Sequence, residues 1–266
     1  MTMAGRRLLP SKILGVSLCT AFTMGSIYAY LIHQRIKDID SKRIVVRETI
    51  PEHFKQSWSV KDVTNPRLHP SRADSRFITL EIPDQYRGVS DEALLARFVR
   101  GFFGGLVIAP ERLVLQTVRM NLVHFTKIGH VGPEKKLWLA KELPDTQLLP
   151  LHTALFGVFQ VVDRKLNDEI PEDNGRSSQS YVDFGFGSDQ GGFSGVHRFS
   201  IVRPKDGGAL DDGRRTIQIH QQSTYCNPIS TKPLKPDAMY TFHMMYAQLL
   251  FREGVSEIVR WLEGER

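Results

Sequence analysis

Residues 13–32 run for twenty positions without a charged side chain, bounded by Lys12 on one side and by His33, Arg35 and Lys37 on the other. A helix rises about 1.5 Å per residue, so the run would extend roughly 30 Å, the thickness of a bilayer's hydrocarbon core. A cleaved signal peptide is the competing reading, with Arg6, Arg7 and Lys12 as its basic start. Secretory apolar regions, however, last about 7–15 residues and end at small side chains. This one ends on Tyr28, Tyr30, Leu31 and Ile32, more like an interfacial aromatic belt. The expectation is an uncleaved, single-pass transmembrane helix.

That helix orders the rest: a tail over 1–12, the membrane helix over 13–32, a tether over 33–75 and a folded domain over 76–266. The tether is punctuated by Pro51, Pro66 and Pro70. Lys and Arg flank the apolar run on both sides, so the positive-inside rule leaves its orientation open. The endoplasmic reticulum is the first expectation for the membrane. The mitochondrial inner membrane is second, because the first 37 residues hold no Asp or Glu.

The domain has enough chain for a substantial core, and 41% hydrophobic with 24% charged residues is ordinary for a folded protein. Cys19 and Cys226 are too few and too far apart for a disulfide framework, and no Asn-x-Ser/Thr acceptor occurs. The formal charge of +6 suits an acidic lipid surface, but the basic residues are scattered without interleaved aromatics, so nucleic acid is not expected as a partner. His124, His130 and His243 lack ligand spacing, so neither a metal nor another cofactor is expected.

Along the domain, residues 76–82 alternate with Ile78, Leu80 and Ile82 on one face, which reads as a strand. Ser90 caps a helix over about 91–103, with Asp91 and Glu92 in its first turn and Leu94, Leu95, Phe98, Val99, Phe102 and Phe103 at helical spacing. Gly104 and Gly105 stop it, and Pro110 opens a second helix reaching about 123. The apolar residues 101–109 between them suit either core packing or a dip into lipid headgroups. Residues 137–140 and 155–162 are strand candidates, 167–179 a polar loop, and 181–186 a further strand.

Two longer strands, 193–203 and 215–225, form a hairpin whose face changes character. Phe193, Phe199 and Ile201 share a parity with His197, while Ile217, Ile219 and Tyr225 share one with Gln221 and Ser223. Pairing about the centre of the intervening loop sets Ile201 against Ile217, Phe199 against Ile219, His197 against Gln221, Gly195 against Ser223 and Phe193 against Tyr225. The inward surface is then aliphatic at one end and carries an imidazole, an amide, a hydroxyl and a phenol at the other. An apolar pocket with a few orienting polar groups needs such a gradient. The plainer alternative is that His197 and Gln221 satisfy each other where the sheet meets solvent. After Pro228 and Pro233, Asp237 caps a long final helix bearing Met239, Phe242, Met245, Tyr246, Leu249 and Leu250. Its soft, methionine-rich face suits either core or an irregular ligand, and Gly254 is a point where the helix would bend or divide.

A strand, two helices, several antiparallel strands and a long last helix is an order that resembles the helix-grip folds, the START-like and polyketide-cyclase-like superfamily. The resemblance covers about residues 76–263 and rests on the hairpin 193–225 followed by the helix from Asp237. It implies an α+β fold in which an antiparallel sheet grips the long C-terminal helix, with an apolar ligand cavity between them.

Two functions follow. In the first, a membrane-tethered cyclase or isomerase acts on a hydrophobic polyketide- or terpenoid-like molecule. His197 is then the general acid/base, Tyr225 donates a hydrogen bond to a carbonyl or enolate, and Gln221, Ser223, Phe193, Phe199 and Met245 bind the ligand. In the second, a non-catalytic module holds a lipid or docks on a membrane protein partner. Both place the bilayer and a hydrophobic small molecule among the partners.

Overall fold

The computed structural model describes residues 10–128, 135–170, 177–204, 215–232, 234 and 237–264; the side chains of 10–22, 169 and 237–239 are outside that description. The chain divides into two units, Met1–Asp38 and Ile39–Arg266.

In the first unit a single helix, α1 (Pro10–Ile36), covers the charge-free run. Among the described residues no single helix is long and apolar enough to cross a membrane, and the transmembrane reading of 13–32 is corrected accordingly. Absence of charge is a weaker property than apolarity. Within the run, Ser17, Thr20, Thr23 and Ser26 carry hydroxyls and Gly15 and Gly25 carry no side chain, while the helix continues into His33, Gln34 and Arg35.

The second unit is α+β. Its eight strands are β1 (Val45–Arg47), β2 (Ser71–Ile82), β3 (Lys136–Leu137), β4 (Ala154–Leu155), β5 (Phe159–Glu169), β6 (Ser177–Gly187), β7 (Ser194–Pro204) and β8 (Arg215–Cys226). They form one sheet in the order β1-β2-β8-β7-β6-β5-β4-β3. All neighbours are antiparallel except β3 and β4, so the sheet is mixed rather than antiparallel throughout. β4 and β5, expected as one strand, are parted by a turn in which Phe156 and Gly157 both take positive φ. A side chain at 157 would drive its Cβ to 2.1 Å from the Met120 carbonyl oxygen, which only glycine avoids.

The helices are α2 (Glu52–Lys55), α3 (Asp91–Gly104), α4 (Ala109–Val118) and α5 (Asp237–Leu262). α3 starts where its capping signal lies: the Ser90 hydroxyl accepts from the Ala93 amide. Its phenylalanines lie directly on the sheet, with Phe102 4.7 Å from Phe199, Phe103 5.0 Å from Phe184 and Phe98 5.0 Å from Phe199 between ring centres. Burying each such ring contributes about 1.5–3 kcal/mol, so these contacts hold α3 firmly on the sheet. α5 packs chiefly on α3, with Phe98 against Phe251. The expected grip of the sheet on the last helix is therefore partly indirect, through α3, while the first half of α5 meets β2 and β8 directly. Gly254 neither bends nor divides α5; it makes room for Phe98, whose Cε2 would stand 2.7 Å from any added Cβ. In the stretch between α3 and α4, Val107 and Ile108 are buried, and Glu253 accepts from the Leu106 and Val107 amides at 2.6 and 2.7 Å.

The segment expected as a tether is instead structured from Ile39 onward. It supplies β1, which extends the sheet at its edge beside β2, and α2 with a π-helical turn, Ser59–Thr64, on the sheet's other face. Phe54, Val60 and Val63 join Val123, Phe125, Val162 and Val196 in a second apolar cluster there. Within it, the Arg198 guanidinium donates to both Asp183 oxygens at 2.7 Å and lies over the rings of Tyr181 and Phe54, and the Ser59 hydroxyl donates to Asp183 at 2.6 Å.

Candidate functional site

On the inner face, β7, β8 and β2 line up in rungs. Ile201, Ile219 and Ile78 form an aliphatic rung. The next three are Phe199–Gln221–Arg76, His197–Ser223–Asp74 and Gly195–Tyr225–Arg72. The hairpin is thus slipped by two residues from the expected register, with His197 opposite Ser223 and Phe199 opposite Gln221. A two-residue slip preserves every side chain's face, because the strand period is two. The change from aliphatic to polar occurs where parity places it, and it extends onto β2.

Above the polar rungs a cavity of about 500 Å³ opens between the sheet, α3, and the first half of α5. Phe102, Ile108, Phe159, Phe186, Phe193 and Leu250 make most of its wall. His197, Gln221, Tyr225 and His243 supply polar groups to it, and Arg72 and Glu111 also line it. The first half of α5 is fastened over this space through polar contacts. Tyr240 lies 5.1 Å from the Arg72 guanidinium, His243 Nε2 is 3.4 Å from Asp74 Oδ2, and Met244 Sδ is 3.8 Å from Arg76 Nη2. Tyr246 donates to Glu111 at 3.0 Å, joining α5 to α4.

Behind the wall, Asp74 Oδ1 accepts from Arg76 Nη2 at 2.5 Å, and both side chains are almost wholly buried at 1% and 0% exposed. The remaining groups here are under-satisfied. Arg76 Nε and Nη1, Asp74 Oδ2, His197 Nδ1, Ser223 Oγ and both amide atoms of Gln221 find no hydrogen-bond partner among the described residues. Buried donors and acceptors without partners are costly to a fold, and these gather on neighbouring rungs at one end of the inner face.

The electrostatics favour uncharged groups. Burial, reinforced by His243, holds the His197 imidazole down to about 3, so it is neutral at physiological pH. Burial, with Asp74 next in effect, raises the Tyr225 phenol, which stays a hydrogen-bond donor. Burial also lowers Arg76 while Asp74 opposes it.

No family model and no curated protein matches this chain. Among solved structures, a hypothetical protein from Helicobacter pylori is similar over 77% of this chain and 94% of its own, at 12% identity and a TM-score of 0.26, a likeness that carries no argument.

Of the residues singled out from sequence, His197, Tyr225, Gln221 and Phe193 meet at the cavity. Ser223 shares the His197 rung but is wholly buried and does not line the cavity, and Phe199 is buried beneath Phe98 and Phe102. Met245 points elsewhere and is 58% exposed. Helical spacing places Met245 with Tyr246, but α5 turns Tyr246 and Ala247 to the cavity instead. Arg72, Asp74, Arg76 and His243 were not among the site residues expected from sequence. Their signal was available: Arg72, Asp74 and Arg76 continue the parity of Ile78, Leu80 and Ile82, so they had to share the inner face once the strand was extended backwards. Among the described residues no group of three or more His, Cys, Asp or Glu is placed to hold a metal ion.

Proposed function

We propose that the domain binds a hydrophobic small molecule in the cavity between the sheet, α3 and α5. The observation that carries this reading is the union of a mainly aromatic and aliphatic wall with unspent polar atoms at one end. The resemblance to the helix-grip folds supports the same kind of ligand. Binding is favoured over a cyclase or isomerase reaction for a specific reason. General acid/base chemistry needs a group that exchanges a proton near the working pH. His197 is held near 3, and the Tyr225 phenol is raised. Both groups therefore act as fixed hydrogen-bonding partners that orient a ligand.

Ala247 lines the cavity from α5 and is buried, so Ala247→Trp fills the space with an indole. Titration calorimetry of the full chain with lauryl alcohol, kept below its solubility limit, is expected to give saturable binding with a negative heat-capacity change, lost in Ala247→Trp. Absence of saturable binding, or equal binding by a folded Ala247→Trp variant, overturns the proposal.

A further inference from the structure

The charge arrangement around the polar rungs selects the ligand's head group. Asp74 and Arg76 are buried as a pair and cancel each other. Of the residues lining the cavity itself, Arg72 and Glu111 are of opposite sign, and His243 stands 3.4 Å from Asp74 Oδ2. Two residues that line the cavity, Gln221 and His197, are uncharged and keep buried polar atoms without a hydrogen-bond partner among the described residues, a donor and an acceptor together in Gln221. We propose that the cavity is specific for apolar molecules ending in an uncharged carbonyl or hydroxyl, bound at Gln221 and His197, and that it rejects the corresponding carboxylates and ammonium ions.

The physical reason is asymmetric exclusion. A carboxylate reaching Gln221 enters a region where the buried Asp74 carboxylate repels it and where Arg76 is already neutralised by Asp74. A cation meets the Arg76 guanidinium in the same way. Either ion gives up its hydration without gaining an uncompensated opposite charge, and that loss is costly in a buried site. A carbonyl accepts from the Gln221 Nε2 group, and a hydroxyl also donates to its Oε1. Neither leaves a buried charge behind.

This inference rests on the proposed apolar-ligand cavity, and a head-group series separates the two. The full chain is titrated with lauryl alcohol, a lauryl methyl ketone, laurate and a lauryl quaternary ammonium, which share an apolar chain and differ at the head. The expected order is alcohol and ketone tightest, with laurate and the ammonium at least about tenfold weaker. Gln221→Leu is expected to weaken the alcohol and ketone while leaving laurate unchanged. Asp74→Asn, which uncovers the Arg76 charge, is expected to improve laurate selectively. Laurate binding as tightly as the alcohol in the wild-type protein overturns the head-group assignment while preserving the cavity. Failure of all four probes to bind overturns the cavity itself. The wild-type series alone decides the question if either variant fails to fold.

Discussion

Removing the Asp74 carboxylate strands a guanidinium in the core, and the size of the penalty follows from its surroundings. The Arg76 side chain is 0% exposed, its Nη2 donates to Asp74 at 2.5 Å, and its Nε and Nη1 have no partner among the described residues. Breaking one side of such a pair costs about 3–5 kcal/mol, because the surviving charge is buried without compensation. Asp74→Ala is therefore expected to destabilise the protein by about that amount. Replacing both residues, as in Asp74→Ala/Arg76→Met, removes the stranded charge, and methionine's flexible side chain fills much of the vacated space. The double variant is expected to recover most of the loss, since apolar replacement of a buried pair is often neutral. Urea unfolding of the full chain, with midpoints compared at constant slope, measures both. A loss below about 1 kcal/mol in Asp74→Ala, or a double variant as unstable as the single, refutes the picture of a desolvated pair beneath the cavity.

Two other outcomes test the frame and its titration. In Gly101→Ala the new Cβ would stand 2.7 Å from Glu257 Cβ and 2.8 Å from the Glu253 carbonyl oxygen, so α3 and α5 must separate, at a cost of about 1–3 kcal/mol visible as a lowered Tm; an unchanged Tm contradicts the close approach. Because native His197 protonates only near 3 against an ordinary value of 6.5, the unfolded chain takes up protons first, and stability is expected to fall as pH drops from 6.5 towards 3. His220, held down to about 4 mainly by burial, adds a slope of the same sign. His197→Gln is expected to flatten the curve, and an undiminished slope contradicts the neutral imidazole.

Local signals were legible where they were stated twice. α3 carried a cap, an acidic first turn, an apolar stripe and a glycine stop, and the helix forms between those signs. The inner faces of β7 and β8 followed from parity, which survives errors in register; the register itself depended on a loop centre that parity does not constrain, and it moved by two. The polar half of the site was read only on the hairpin because the run Arg72, Asp74 and Arg76 looks like a solvated strand end. Only the neighbouring strand shows it to be interior, through the Gln221–Arg76 and Ser223–Asp74 pairings. His243 was set aside as a lone histidine for a similar reason, since its position against Asp74 is set by how α5 lies, not by spacing. The charge-free run near the N-terminus taught the opposite lesson: a count of missing charges says nothing of the hydroxyls and glycines among them.

The most direct measurement is a crystal of the full chain grown with a lauryl alcohol brominated at the end of its alkyl chain, with the halogen located by anomalous scattering. The account expects a bromine peak among Phe102, Phe159 and Leu250, with the hydroxyl beside Gln221. Bromine found only on the outer surface, with the cavity wall closed on itself, contradicts it.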